Sequence, residues 1–573
     1  MKKTFLLSCL MLAAMPVMAA YTGHVYVDKN KNGVFDQSEK PLAGIKVSDG
    51  LNVVETAADG SFTLPGHERE RFIFITTPSG YKTFNRHYHK IEKKQSGYDF
   101  GLIPYSGRIR KNGSHRYIHI ADTEIFNTEN HADWVNNVRD YARNEQAAFI
   151  IHTGDICYEK GLKAHIKLMN TENMDCPVFY CIGNHDLVKG KYGEELFESI
   201  YGPVYYSFDA GNVHYVVTPM PGGDHAPGYT SDDVCRWLKN DLAHIRPGTP
   251  VVVFNHDLLT YEDTFIFKSK NAGSINLNEY NLKAWVYGHW HINYMKKQGD
   301  VYSVCTSSLD KGGIDHSTTA FRVMHVDSKG DFTSELRYTY LDKNICIASP
   351  AGVMASGVLP VAVNVYSSVS PVREVLYTCL ADGKPVLKNK RLLQSTDWSW
   401  NGELPLSHKY VGKELTLRVT ARFNNGEIAE AESHFICRTE KAVPLFSADW
   451  DNLSGNAKHS APVSAPLNLP LQLAWTNNVG ANLYMTSPLI HKGKVIVASV
   501  DEDLKGVGHV YALNGKDGTI LWSCPVRNSI KNSIAVDSDI VFAQDAQGFL
   551  YAIDTETGKL CWEKQLPVNG FQA

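Results

Sequence analysis

Five times between residues 115 and 291, an apolar run breaks off at side chains able to ligate a metal. Tyr117-Ile118-His119-Ile120 leads into Asp122-x-Glu124, and "AFIIHTGD" ends on Gly154-Asp155. "PVFYCIGNHD" ends on Gly183-Asn184-His185-Asp186, "PVVVFNHD" carries Asn255-His256, and "KAWVYGHWH" closes on Gly288-His289-Trp290-His291. Each short run reads as a buried strand. Between them lie helical patterns. "HADWVNNVRDYARNEQ" puts Trp134, Val135, Val138 and Tyr141 on one face, and "SDDVCRWLKNDLAHI" places Ser231 as its N-cap. Strands alternating with helices make an α/β region over 109–345. In such folds sites gather where strands end, so the five termini converge on one cleft.

The donors that would meet there are carboxylates, an amide oxygen and imidazoles. Asp122 and Glu124 at the mouth of a buried strand cost free energy unless a positive charge lies between them. Asp, Asn and His donors suit divalent Mn, Fe or Zn.

The ordered series D-x-E, G-D, G-N-H-D, N-H, G-H-W-H resembles that of the calcineurin-like metallophosphoesterases, whose motifs run D-x-H, G-D, G-N-H-[DE], H, G-H-x-H. The resemblance covers about residues 112–330. It implies a four-layer α/β/β/α core holding two divalent ions. Asp122 and His291 would bind the first ion, Asp155 would bridge, and Asn184, His256 and His289 would bind the second. His185 would protonate the leaving oxygen, with Asp186 orienting its imidazole. Glu124 stands where the family has histidine. It either ligates through oxygen, favouring harder metals, or turns away and leaves the first site weak.

Around this core the sequence is β-rich. Residues 20–108 alternate in the β manner and read as a β-sandwich. Within them, Asp28, Asn30, Asn32, Gly33 and Glu39 occupy positions 1, 3, 5, 6 and 12 of a calcium loop, with Asp36 among the candidate ligands. A strand precedes this loop where a helix is usual, so calcium binding and a plain Asn/Gly turn both stand open. Residues 346–445 read as a second β-sandwich. In 446–573, "GHVYALNGKDGTILWSCPV" repeats as "GFLYAIDTETGKLCWEKQL", with Tyr511/Tyr551, Gly518/Gly558 and Trp522/Trp562 each 40 residues apart. Such a repeat reads as propeller blades and looks like those of quinoprotein dehydrogenases. Two blades make an incomplete propeller, which implies a truncated chain or completion by another chain. The fold class is therefore multidomain α/β plus β.

Residues 1–19 have the positive start, apolar run and small-residue end of a signal peptide, which implies export to a periplasm or outside. No later run is long enough to cross a membrane. Ten cysteines beyond the signal form no CxxC pair, which argues against a thiolate zinc site, and most are expected to be buried apolar groups. A net charge of -4 supplies no field for nucleic acid. The leading expectation is an exported dimetal phosphoesterase acting on phosphate mono- or diesters. The alternative is a catalytically degenerate envelope protein that binds glycan or a partner protein through its β-domains and propeller. Tyr205, Tyr206, Trp290 and the loop 220–229 are candidate pocket residues or, equally, core and loop residues.

Overall fold

The computed structural model describes residues 20–439, 449–461, 473–483 and 486–567, except 94 and 96. The signal-peptide segment lies outside the described residues.

The α/β region is built on two sheets. The first runs Val178–Tyr180, Phe149–His152, His115–Ile120, Ala320–Val326, Phe332–Tyr338; its first three strands are parallel and the last two antiparallel. The second runs Tyr206–Ala210, Val213–Val217, Val251–Phe254, Leu282–Tyr287, Val301–Cys305, Tyr294–Gln298. The continuous apolar character of the strands follows from burial on both sides. Tyr117 and Phe149 of the first sheet stack at 4.7 Å, and Tyr117 meets Phe254 of the second edge-on at 5.7 Å. Helix Ala132–Asn144 lays Trp134, Val138 and Tyr141 on the outer side of the first sheet, against Ile118, Ile120 and Ile150. Helix Ser231–Ala243 buries Trp237 and Leu238 in the core that includes the second sheet. Its N-cap is Thr230 and not the expected Ser231. The Thr230 hydroxyl accepts from the Asp233 N–H at 3.2 Å, and the Asp233 carboxylate takes the Thr230 N–H in return.

The N-terminal β-rich unit forms two sheets around Val25, Val47, Ile73 and Leu102. Its Asp28–Glu39 loop is held internally. Asp28 accepts the Asn32 and Gly33 N–H groups, Glu39 accepts those of Lys29 and Asp36, and Asp36 takes the amide donors of Asn30 and Asn32.

The second β-sandwich pairs a four-stranded and a five-stranded sheet. Strand Glu414–Phe423 shows why: every second residue, from Leu415 through Leu417, Val419 and Ala421 to Phe423, is buried. It packs on the α/β region. The Tyr366 hydroxyl accepts the Tyr338 N–H, and the Asn144 amide donates to the Val369 carbonyl.

The repeat segment forms two four-stranded antiparallel sheets, over residues 489–525 and 535–565. The repeated glycines serve neighbouring tryptophans. A Cβ at Gly518 would lie 2.3 Å from the Trp475 ring, and one at Gly558 2.6 Å from the Trp522 ring. Both glycines also need positive φ, 74° and 69°. Each indole N–H donates to a carbonyl beside its glycine, Trp475 to Gly515 and Trp522 to Thr555. These sheets dock on the α/β region through buried charge. The Lys531 ammonium reaches the Asn293 carbonyl at 2.6 Å, Asp315 at 2.7 Å and Glu502 at 2.5 Å. Arg322, fully buried, pairs with Asp503 at 3.0 Å.

Cys176 and Cys181, which flank strand Val178–Tyr180, are both free and buried, whereas Cys346 and Cys561 are exposed.

Candidate metal centre

The strand ends do converge. Asp122, Asp155 and Asn184 follow strands of the first sheet; His256 and His289 follow strands of the second. Ligand atoms of Asp155, His256 and His289 all lie within 4.8 Å of one another, and so do those of Asp122, Asp155 and His291. Asp155 is common to both groups, as a bridging carboxylate would be.

The inner group is oriented by its own hydrogen bonds. His256 Nδ1 donates to the Thr153 carbonyl at 2.7 Å. That leaves Nε2 facing Asp155 Oδ2 and Asn184 Oδ1, each at 3.1 Å. Burial pushes the His256 imidazolium down, but the Asp155 and Asp122 carboxylates outweigh it and hold its pKa up at about 9. Asp122 and His256 are fully buried and Asp155 is 1% exposed. Burial, together with the Asp155 charge, drives the Asp122 carboxyl well above its usual range. Buried carboxylates gathered with an amide oxygen and imidazole nitrogens form a donor set that suits divalent cations.

The outer group is more open. His291 Nε2 lies 3.5 Å from both Asp122 Oδ1 and Glu124 Oε1. Glu124 therefore points into the cleft. Its other oxygen is 2.8 Å from the Lys311 ammonium. Sequence reasoning missed Lys311, which lies in a stretch without any motif and reaches the site only through the fold.

Backbone strain marks the same residues. Asp122, Glu124, Asp155, His289 and His291 all have left-handed φ, at 51°, 43°, 56°, 65° and 51°. Such residues cost about 1 kcal/mol or more each and cluster at functional sites. The glycines of the motifs are there for contact. A Cβ on Gly183 would lie 2.2 Å from Asp155 Oδ1, and one on Gly288 2.7 Å from Asp122 Oδ2.

His185 sits beside the inner group, its N–H donating to Asp155 Oδ1 at 3.0 Å. Its Nδ1 pairs with Asp224 at 2.8 Å, not with Asp186 as expected from sequence. Burial lowers the His185 pKa, but the Asp224 hydrogen bond and the Asp155 charge outweigh it, and the net shift is upward. The Asp186 side chain turns back into the loop instead. It accepts the N–H groups of Asp155, Gly183 and Cys157 at 2.9–3.0 Å, tying two motif loops together. Tyr206 and Tyr205 touch neither donor group; Tyr205 lines a different recess, with Arg71 and Tyr229. Tyr206 hydrogen-bonds Tyr180 in the core, and Tyr205 packs on Trp237 and bonds the Gly50 carbonyl. Trp290 does stand near the site, its indole N–H on Asp257.

With this geometry in view, comparison with known proteins is informative. Residues 115–293 match the family model of the calcineurin-like phosphoesterases. Residues 29–104 match that of the N terminal of calcineurin-like phosphoesterase, and 472–571 that described as outer membrane protein assembly factor BamB. Purple acid phosphatase 13 of Arabidopsis thaliana is 26% identical over 215 residues, covering 35% of this chain and 36% of its own length. The chain thus matches only about a third of that relative. Among solved structures, a europium-containing methanol dehydrogenase aligns at 21% identity over 22% of this chain and 24% of its own, with TM-score 0.18. A conserved protein of Streptococcus pneumoniae TIGR4, described as a predicted phosphoesterase, aligns at 10% identity over 39% of this chain and 98% of its own, with TM-score 0.19. Among the described residues, no helix is long and apolar enough to cross a membrane.

Proposed function

We propose that the chain is a metal-dependent phosphoric ester hydrolase. One observation carries this reading: two donor groups share Asp155, and an imidazole held by its own carboxylate stands beside them. Asp122, Glu124, Asp155 and His291 would hold one divalent ion, and Asp155, Asn184, His256 and His289 the other, within a four-layer core. Such a pair of ions supplies charge for the phosphoryl oxygens and an acidified water as nucleophile. The protein's own part is positional. Thr153 fixes the tautomer of His256, the His289 backbone N–H donates to the Asp122 carboxylate at 3.1 Å, and Asp186 locks the Asp155 loop to the His185 loop. With Nδ1 bound to Asp224, His185 presents Nε2 to the leaving oxygen as proton donor. Glu124 adds one negative charge relative to histidine, and Lys311 offsets it.

The chain is further read as exported through residues 1–19, with units at 20–108, 109–345, 346–445 and 446–573. For the Asp28–Glu39 loop, a calcium site that stiffens the first unit and a plain turn held by its own hydrogen bonds both stand open. The envelope-binding alternative draws on the similarity to BamB, but it gives the His185–Asp224 pair no task.

The test is hydrolysis of p-nitrophenyl phosphate and bis(p-nitrophenyl) phosphate, with Mn, Fe, Zn or Mg and after chelation. Metal-dependent turnover is expected, with Asp155→Asn lowering kcat/KM by about a thousandfold or more, since one change weakens both metal groups. Turnover that is metal-independent or indifferent to Asp155 overturns the reading.

A further inference from the structure

Two large aromatic side chains lie exposed beside the proton donor. Phe126 is 56% exposed and Tyr158 43% exposed. Their rings are within 18° of parallel with centroids 6.3 Å apart, and the Tyr158 ring is 5.4 Å from that of His185. Phe126 and Tyr158 line one recess of about 400 Å³ with Leu187, Val188 and Asp224, the last being the carboxylate on His185. Most of its exposed wall is apolar, and Glu159, Lys160, Lys189 and His225 also line it.

Burial in a core does not fix the position of these rings, which stand exposed side by side next to His185. Large rings standing in water forgo the burial that usually decides where Phe and Tyr reside. The backbone that presents Tyr158 is also strained, with φ of 74° at Cys157 and 55° at Tyr158. It is held there by the Asp186 carboxylate, which takes the Cys157 N–H at 2.9 Å. The same carboxylate that braces the Asp155 loop therefore aims Tyr158.

We infer that the recess formed by Phe126, Tyr158, Leu187 and Val188 receives a planar aromatic group carried on the leaving alcohol of the substrate, as in a nucleoside phosphate. This deepens the phosphoesterase reading and rests on it. The side of the phosphorus is set by His185. Hydrolysis breaks the bond from phosphorus to the leaving oxygen, water supplies the new oxygen on phosphorus, and the His185 Nε2 proton goes to the departing oxygen. The substituent on that oxygen must then lie past His185, where the Tyr158 ring is. A flat π face stacks on an exposed aromatic ring, and a volume of this size is ordinary for small ligands.

The experiment compares adenosine 5′-monophosphate with ribose 5-phosphate on the full chain with Mn²⁺. Both release the same kind of primary alcohol, and they differ in the base. The expected result is a kcat/KM at least about tenfold higher for the nucleotide, the scale that base stacking on aromatic side chains gives. That ratio should collapse toward one in Phe126→Ser and Tyr158→Ser and persist in Phe126→Tyr and Tyr158→Phe. Equal rates for the two esters in the parent, or a ratio unmoved by both serine variants in folded protein, overturn the inference. Saturation-transfer NMR with adenosine and with ribose separates this from failure of the phosphoesterase reading, because it needs no turnover. Adenosine signals that vanish in the serine variants support the recess even if neither ester is cleaved. No adenosine signal in the parent overturns it.

Discussion

The α/β region and the second β-sandwich share one chain and keep opposite kinds of interior. Among the described residues the sandwich buries no acidic, basic or histidine side chain: Val363, Val375, Leu417 and Val419 are fully buried, and its histidines, His408 and His434, are exposed. The α/β region fully buries His119, His152, His165, His256, Asp122 and Asp186. Burial holds His165 down at about 3, and His119 and His152 well below their ordinary value. One interior is optimised for transfer free energy, and the other gives part of it up to hold charge in fixed places. The difference teaches that polar residues in a core are informative in proportion to what they cost.

The comparison can be broken most directly at His185. His185→Ala should lower kcat by about 10²–10⁴-fold, the usual worth of a positioned acid. Its melting temperature should stay close to the parent's, because the side chain is only part-buried. A large loss of stability with unchanged rate would erase the contrast. The reciprocal change is Leu417→Ala in the sandwich. It should cost about 2–5 kcal/mol in denaturant unfolding while the folded protein keeps its kcat/KM.

Acid should separate the regions by a smaller amount. His165 binds a proton readily when unfolded but, at about 3, resists one when folded. Its stabilising effect is complete above pH 6.5 and is lost as pH falls from there toward 3, at up to about 1.4 kcal/mol per pH unit. Hydrogen exchange followed from pH 7 to 4.5 should show residues 115–326 opening before residues 357–438. Simultaneous opening would mean that the buried histidines do not set the acid limit. The smallest effect is expected at the outer metal group. Glu124→His should change relative affinity for Mn and Zn by a few-fold in metal titrations, because it exchanges one donor of several and frees Lys311. Identical affinities would show that Glu124 is not a ligand.

Much of this was legible in sequence where function and local structure coincide. The five motifs sit directly on strand ends, so period and position point together, and Trp134, Val138 and Leu417 fall on the faces their spacing predicts. Contacts made only by the fold were not legible. Asp224 falls in the candidate loop 220–229, but nothing local singles it out 39 residues from His185, and Lys311 lies 187 from Glu124 in no pattern. Asp186 misled because it adjoins His185: the tight turn at 184–186 sends its carboxylate back to three backbone N–H groups. Tyr205 and Tyr206 resolve to the core side of the two readings, because aromatic residues near a motif serve a core as readily as a pocket. The repeated glycines showed their spacing, but the tryptophan rings they admit became visible only in three dimensions.

The Lys531 contact has a consequence for how the molecule comes apart. Peeling the last two sheets away would strand the Asp315 carboxylate, leave the Lys531 ammonium with Glu502 alone, and release the carbonyl of Asn293, two residues from His291. The penalty falls on both sides of the seam at once, so neither side can loosen alone. Heated in a calorimeter, the repeat segment and the α/β region should therefore melt as one cooperative block, and a molecule that grips the outer sheets would be felt at the cleft.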